Sequence, residues 1–273
     1  MRTVIFTTAN HPYANKIINH LLQMKSIKVI CIVESSVLYP NKSRVGGLIK
    51  YLKVSGFEYV FFQMLKVFII RIGKKIYGIY PKRRLDHFLA DIKEPAKRQK
   101  IPIITESNIN SLTFGRKMGA KRPDLFISVF FNQIFKDKLL SITKVATINI
   151  HPGLLPSYRG VSPTFWVLAN GETVTGTTIH TITNSQIDRG LTLYQIKVKI
   201  RPDDTEHSLY IKCINSVLPD LEQVINKIKN KKEGIRLSKN TTSYYSLPTK
   251  EAIKRFKDQG RKFYNLGELF YEQ

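Results

Sequence analysis

Acidic residues are scarce in this chain: 20 Asp and Glu stand against 44 Lys and Arg, a formal net charge of +24. A field of that sign draws anions, whether phosphorylated small molecules, nucleic acid or acidic lipid, and does not choose among them. The excess is uneven, since 19 Lys and Arg against 5 Asp and Glu fall between Asn41 and Pro123. Cysteine is nearly missing. Cys31 and Cys213 lie in apolar surroundings, which excludes a disulfide framework and predicts reduced core thiols. No Cys/His cluster has metal-ligand spacing, so no metal is expected. A long apolar run is also missing. The best stretch, "FEYVFFQMLKVFIIRI" (57–72), is broken by Glu58, Lys66 and Arg71. It falls short of the roughly 18 to 20 residues that span a bilayer. The start, "MRTVIFTTANHPY", is too short and too polar for a signal peptide. Its turn "TTANHPY" carries no glycine-rich fingerprint, which argues against a GxGxxG dinucleotide site. These readings point to a cytoplasmic protein.

What is present is a full core. At 42% hydrophobic over 273 residues the chain makes one large domain, or a main domain with a small appendage. "RTVIFTT" (2–8) and "IKVICIVES" (27–35) read as buried strands around a helix at 13–24, whose Ile17, Ile18, Leu21 and Leu22 share one side. That opening predicts an α/β fold, a Rossmann-like, mostly parallel sheet with helices on both faces. One or two helices are expected from Gly46 to about Tyr80, and another over 83–99, broken near Pro95. Strands follow at 101–105, 124–131 and 145–150, with short helical segments at 110–120 and 135–141. The alternation then ends. A short helix (162–171) and two strand-like runs (173–183 and 191–200) precede a long helix over 203–230, interrupted at Pro219, and a last one at 250–260. The expected organisation is a domain over 1–200, with a basic, aromatic insert at about 41–82, and a small, mainly helical C-terminal region over 201–273.

One stretch stands out. "NIHPGLLPSYRG" (149–160) has two prolines and two glycines, which rule out a regular helix, and no Lys, Asp or Glu. It follows a buried strand. In open α/β sheets ligands gather beyond the carboxyl ends of strands. Asn149 and His151, two apart in extended chain, point to one side. A side-chain amide can hold a developing oxyanion, and an imidazole can move a proton near neutral pH. A carboxylate would complete such a set, and Asp188 in "NSQIDRG" is the best candidate. By itself, Asn-x-His is more often structural than catalytic.

Taken together, Asn149-Ile150-His151-Pro152-Gly153-Leu154-Leu155-Pro156, Tyr158-Arg159-Gly160, Gly176-Thr177-Thr178-Ile179-His180 and Ile187-Asp188-Arg189-Gly190 resemble the formyltransferases that use N10-formyltetrahydrofolate. The motif order and gaps match over roughly residues 100–200, and the sugar N-formyltransferases are the most similar branch. The resemblance implies Asn149, His151 and Asp188 as a catalytic trio. It implies a folate pocket formed by Gly153, Leu154, Leu155 and Pro156, by Asp188, and by Phe130, Asn132 and Ile134 of "VFFNQI" (129–134). The co-substrate implied is N10-formyltetrahydrofolate. The sequence departs from the family at Gly153, where many members have Ser or Ala, a change that predicts a looser turn. The insert at about 41–82 has no family counterpart.

The acceptor expected is a small-molecule amine, a nucleotide-linked amino-deoxysugar, with His11 and Arg159 as substrate-binding candidates. Methionyl-tRNA formyltransferase and a purine-pathway enzyme are rival readings within the chemistry. The first calls for a β-barrel after the catalytic domain, and 201–273 reads as helical, so nucleic acid is disfavoured. A folate-binding module without catalysis is a rival from another class. His180 is weighed as a brace for the site or a core histidine, and Phe165 and Trp166 are expected in the core. His20, His87 and His207 read as helix residues without partners. For 57–72, packing on the core or on a second subunit, as in a homodimer, is favoured over a membrane-surface role.

Overall fold

The computed structural model describes residues 1–37, 44–79, 89–230, 234 and 242–269. Strand β1 (Arg2–Thr8) buries everything from Thr3 to Thr7, as a strand covered on both faces must. It is followed by α1 (Ala14–Gln23), whose Ile17, Ile18, Leu21 and Leu22 are all buried, and by β2 (Lys28–Ser35). The basic, aromatic segment forms α2 (Arg44–Ile79), broken at Gly56, where φ is 80°. Helix α3 (Lys93–Arg98) is all that the described residues show of the helix expected over 83–99. Pro95 sits in its first turn, where a missing N–H costs nothing. Residues 83–88, with His87, and residues 41–43 and 80–82 of the insert lie outside the described residues.

The chain continues through β3 (Ile103–Glu106), α4 (Leu112–Ala120), β4 (Leu125–Val129), α5 (Asp137–Leu140) and β5 (Ala146–His151). Ser111 caps α4, its hydroxyl accepting from the Phe114 amide at 3.2 Å. Beyond the proline loop come β6 (Arg159–Gly160), α6 (Pro163–Ala169), β7 (Val174–Thr181) and β8 (Thr192–Lys199). The C-terminal region is α7 (Glu206–Val217), α8 (Leu221–Lys229), β9 (Tyr244–Tyr245) and α9 (Lys250–Asp258). Pro219 lies in the 3-10 turn that separates α7 from α8. Thr205 caps α7 through a reciprocal bond pair with Ser208.

Seven strands form one sheet in the order β3-β2-β1-β4-β5-β7-β8. The first five are parallel, and β7 and β8 run antiparallel at the edge. Side chains alternate along β1. Val4 and Phe6 join Phe114 and Met118 of α4 and Leu139 of α5 on one face. Ile5 joins α1, Ile214 and Val217 of α7 and Ile225 of α8 on the other. Helices therefore cover both faces, as expected, and the C-terminal α7 and α8 belong to the same core as the sheet. Both cysteines are buried and free.

Two findings differ from the expectations. Strand β9 pairs in parallel with β6, so the C-terminal region reaches back to the proline loop. The stretch 57–72 is only half buried: Tyr59, Val60, Lys66 and Ile70 face inward, whereas Phe57, Phe61, Met64, Phe68 and Ile72 face solvent. Among the described residues no helix is long and apolar enough to cross a membrane.

Candidate active site

Strand order reverses between β1 and β4, and a ligand crevice is expected beyond their carboxyl ends. His11, just after β1, stacks there on Phe130, just after β4, at 4.9 Å between ring centroids. Tyr210 of α7 packs edge-on against Phe130. Phe130 holds a positive φ of 52°, and Thr8 donates its hydroxyl to the Phe130 carbonyl at 2.8 Å. His11 also lines a small cavity with Asn10, Glu34, Asp91 and Lys93.

One strand further along, β5 presents Asn149 and His151 on one face. The antiparallel partner β7 sets His180 opposite Asn149 and Thr178 opposite His151. The turn between β7 and β8 then brings Asp188 over this face. The structure thus gathers Asn149, His151 and Asp188 and adds His180. Asn149 Nδ2 lies 3.3 Å from Asp188 Oδ1 and 3.2 Å from His180 Nε2. His180 Nε2 is 3.3 Å from Asp188 Oδ1, and its Nδ1 donates to the Thr181 carbonyl at 2.9 Å. His151 Nδ1 is 3.6 Å from Asp188 Oδ2, an electrostatic contact too long for a hydrogen bond. The bond that orients His151 is another one. Its Nε2 lies 2.9 Å from the Tyr158 carbonyl, an acceptor only, so Nε2 carries the proton.

Asp188 has a φ of 51°, a left-handed conformation that Asp tolerates better than most residues. Its Oδ2 accepts from the Gly160 amide at 2.8 Å. Burial alone pushes its carboxyl up, but His151, His180 and the Gly160 amide outweigh burial and hold it well below the usual carboxylate range. Burial pushes the His151 imidazole down; Asp188 pulls it up, His180 pushes it down and the Tyr158 carbonyl pulls it up, and the net shift is downward. Near neutral pH the site therefore holds an ionised carboxylate and a neutral imidazole whose basic nitrogen is Nδ1. Both N–H groups of Asn149 face protein acceptors, so holding an oxyanion would require its amide to turn one of them away.

The proline loop is held from outside itself. Thr178 Oγ1 accepts from the Leu155 amide at 3.2 Å and donates to the Gly153 carbonyl at 2.7 Å. Gln195 of β8 donates to the Leu155 carbonyl at 2.9 Å. The Gly153 amide turns back to the His151 carbonyl at 2.9 Å, and the Leu155–Pro156 bond is cis. Gly153 does not leave this turn loose. A Cβ there would stand 2.9 Å from His151 Nε2 and 3.2 Å from Pro163 Cβ, so its absence lets the imidazole pack under the turn. Leu155 is buried and Leu154 partly so. Asn132 donates to the Val37 carbonyl at 2.6 Å, while its Oδ1 is buried without a partner. Ile134 is exposed.

Arg159 is buried, stands over the Tyr244 ring and lies within electrostatic reach of Asp188 and Arg189. Its Nε has no partner. The C-terminal segment clamps this part of the loop. Ser243 accepts from the Tyr158 amide at 2.8 Å through Oγ and from the Arg159 amide at 3.1 Å through its carbonyl. Tyr245 is stacked between Tyr158 and Trp166. Phe165 and Trp166 are core residues, as expected. His207 differs from expectation. It is buried between the Tyr13 hydroxyl at 2.9 Å and the Glu268 carbonyl at 3.0 Å. Sequence reasoning missed Thr178, Gln195 and Ser243 as supports, because only strand pairing brings them to the loop, and the Tyr158 carbonyl, because only the fold of the loop itself turns it onto His151. Among the described residues no group of three or more His, Cys, Asp or Glu side chains is placed to hold a metal ion.

The formyl transferase family model matches residues 1–216. The chain belongs to the formyl transferase family. As a formyl transferase it is 33% identical over 205 residues to the bifunctional polymyxin resistance protein ArnA of Wigglesworthia glossinidia brevipalpis, 72% of this chain and 31% of that protein. The chain thus spans about a third of the length of that curated relative. Solved formyltransferases share its fold. A sugar N-formyltransferase from a Shewanella species matches with a TM-score of 0.55 at 21% identity, covering 90% of this chain and 77% of that one. The N-formyltransferase of Helicobacter canadensis, solved with folinic acid and dTDP-3-aminofucose, matches with a TM-score of 0.54 at 18% identity, covering 90% and 71%. Glycinamide ribonucleotide transformylase 1 of Symbiobacterium toebii matches with a TM-score of 0.57 at 14% identity, covering 87% and 94%.

Proposed function

We propose that this formyl transferase moves a formyl group from N10-formyltetrahydrofolate to the amine of a nucleotide-linked amino-deoxysugar. The observation that carries the reading is the convergence of Asn149, His151 and Asp188 at the carboxyl end of β5. A neutral imidazole with one free basic nitrogen beside an ionised carboxylate suits acyl transfer to an amine. The amine nitrogen attacks the formyl carbon, and the carbonyl electrons move to oxygen. An N–H of Asn149, turned from Asp188, donates to that oxygen. His151 Nδ1 takes the proton lost by the amine and becomes an imidazolium facing Asp188. The bond from carbon to N10 then breaks, and the proton passes to N10. A positioned oxyanion donor contributes about 10²–10³ in rate.

The residues suited to the donor are Phe130, Asn132 and Ile134 together with the turn from Gly153 to Pro156. The unpartnered Asn132 Oδ1 fits the N–H edge of a pterin. For the acceptor, Arg159 offers a buried Nε beside the site, suited to a phosphate oxygen, and the chain's net charge of +24 favours an anionic substrate. His11 borders the same crevice. The dTDP-sugar bound by the Helicobacter canadensis enzyme belongs to this acceptor class. The test is formyl transfer followed by mass spectrometry across nucleotide-linked amino sugars, glycinamide ribonucleotide and charged initiator tRNA. Formylation of an amino sugar is expected. Formylation of the tRNA or the glycinamide compound alone would overturn the acceptor and leave the reaction.

A further inference from the structure

Helix α2 is built the wrong way round for a helix that serves only its own core. Its inner face carries Lys66, 5% exposed, paired with Glu206 at 3.7 Å, and Gln63, which donates to the same carboxylate at 3.2 Å. Tyr59 on that face packs against Phe165 and Phe263. The outer face is apolar. Phe57 is 75% exposed, Phe61 50%, Met64 62%, Phe68 61% and Ile72 41%. Their spacings of four, three, four and four residues place them in one stripe. The stripe covers about 22 Å of helix at 1.5 Å per residue. A contiguous exposed apolar face of this kind marks an interaction surface.

Charge decides what covers it. Arg71 and Lys75, both exposed, flank the stripe at its C-terminal end. Lys250 of α9 lies against Gly56 at the other end. The single acid of α2, Glu58, is neutralised by Lys257. A second copy of this chain would bring its own +24 against this face. An anionic lipid surface supplies both things the face lacks: an apolar layer for the aromatic stripe and phosphates for the flanking cations.

We infer that the outer face of α2 docks the protein on anionic phospholipid membranes. Phe57, Phe61, Met64, Phe68 and Ile72 enter the interfacial layer, and the surrounding Lys and Arg meet the headgroups. The helix lies along the surface and does not cross it. This inference stands independently of the acceptor's identity.

The experiment is vesicle flotation of the full chain. One set of vesicles is phosphatidylcholine alone, and the other contains about one-third phosphatidylglycerol, enough to give the surface a negative potential. The protein is expected to float with the anionic vesicles, less at high salt, and not with the neutral ones. Phe61→Ser combined with Phe68→Ser should weaken binding by at least about tenfold, from the burial lost by two aromatic side chains. Arg71→Gln and Lys75→Gln should each weaken it about fivefold, on anionic vesicles only. All four positions are exposed, so unchanged circular dichroism and melting temperature would confirm that the variants remain folded. Failure of the wild-type protein to float on anionic vesicles at low salt would overturn the inference. So would variants that float as well as the wild type. Sedimentation showing a dimer that the two Phe substitutions dissociate, without vesicle binding, would assign the face to a second copy.

Discussion

Replacing Asp188 by Asn removes a charge and almost no volume, which makes it the cleanest perturbation of the site. The carboxylate takes the Gly160 amide at 2.8 Å and Asn149 Nδ2 at 3.3 Å, and it faces His151 and His180. An Asn oxygen can still accept from Gly160, so that bond weakens from charge-assisted to neutral, a loss of about 1 kcal/mol. In a chain of this size that lowers the melting temperature by about 2–4 °C. The chemical loss is far larger. The imidazolium formed on His151 would no longer face a carboxylate, and Asn149 would face an amide in place of an anion. Turnover should fall by about 10²–10⁴. The pH profile carries a separate signature. Burial and His180 both push His151 down, and Asp188 is the largest influence pulling it up. In Asp188→Asn the imidazole stays neutral to lower pH, so the acid limb of kcat/KM extends to lower pH while the plateau drops. The assay is formyl transfer over a pH series, with thermal melts on the same samples. Turnover within about threefold of wild type, or an acid limb displaced to higher pH, would refute the roles given to Asp188 and His151.

Three further outcomes are expected. Gly190→Ala should destabilise the protein by about 1–3 kcal/mol and impair turnover, because its Cβ would lie 1.5 Å from the Thr181 carbonyl and displace the turn that carries Asp188; melting temperature and formyl transfer measure both. His207 is pushed down to about 3 by burial first and Lys66 second, with the Glu268 carbonyl opposing. Its unfolded state binds a proton below about 6.5 that the folded state excludes, so stability falls with acidification from there towards 3, by about 2 kcal/mol at pH 5. Urea midpoints at pH 7 and pH 5 should differ less in His207→Gln than in wild type. Tyr245→Ala removes the stack on Tyr158 and Trp166. It should cost about 1–3 kcal/mol and lower turnover through the Tyr158 carbonyl that holds His151, read by melts and by kcat against KM.

The parallel half of the fold was legible because its strands are buried on both faces and read as continuous apolar runs, as in β1, β2 and β4. The convergence of Asn149, His151 and Asp188 was legible because Asn149 and His151 share a strand and Asp188 sits in a polar turn of a recognisable motif. The supports were not. Gln195 looks like an ordinary member of an alternating edge strand and Thr178 like one more threonine of a buried strand, and only the β5–β7–β8 register turns them onto the proline loop. The β6–β9 pair is two residues long and joins positions about 85 apart, so no local pattern announces it. In α2 the apolar and charged residues alternate in a way that left its buried face undetermined. Burying Lys66 is favourable only because Glu206, far along the chain, supplies the partner. His207 hid for the same reason, its partners Tyr13 and Glu268 lying at opposite ends of the sequence.

Asn149, His151 and Asp188 are proposed to act together as a formyl-transfer centre. The most direct measurement is to supply N10-formyltetrahydrofolate carrying an isotopically labelled formyl carbon, together with a nucleotide-linked amino sugar, and to follow that carbon by NMR. With wild-type protein the label is expected to leave the folate and appear as a formamide on the sugar amine, and with His151→Ala, still folded, to stay on the folate. A label that stays on the folate with the wild-type protein, or one that moves equally fast with His151→Ala, would contradict a formyl-transfer role for these residues.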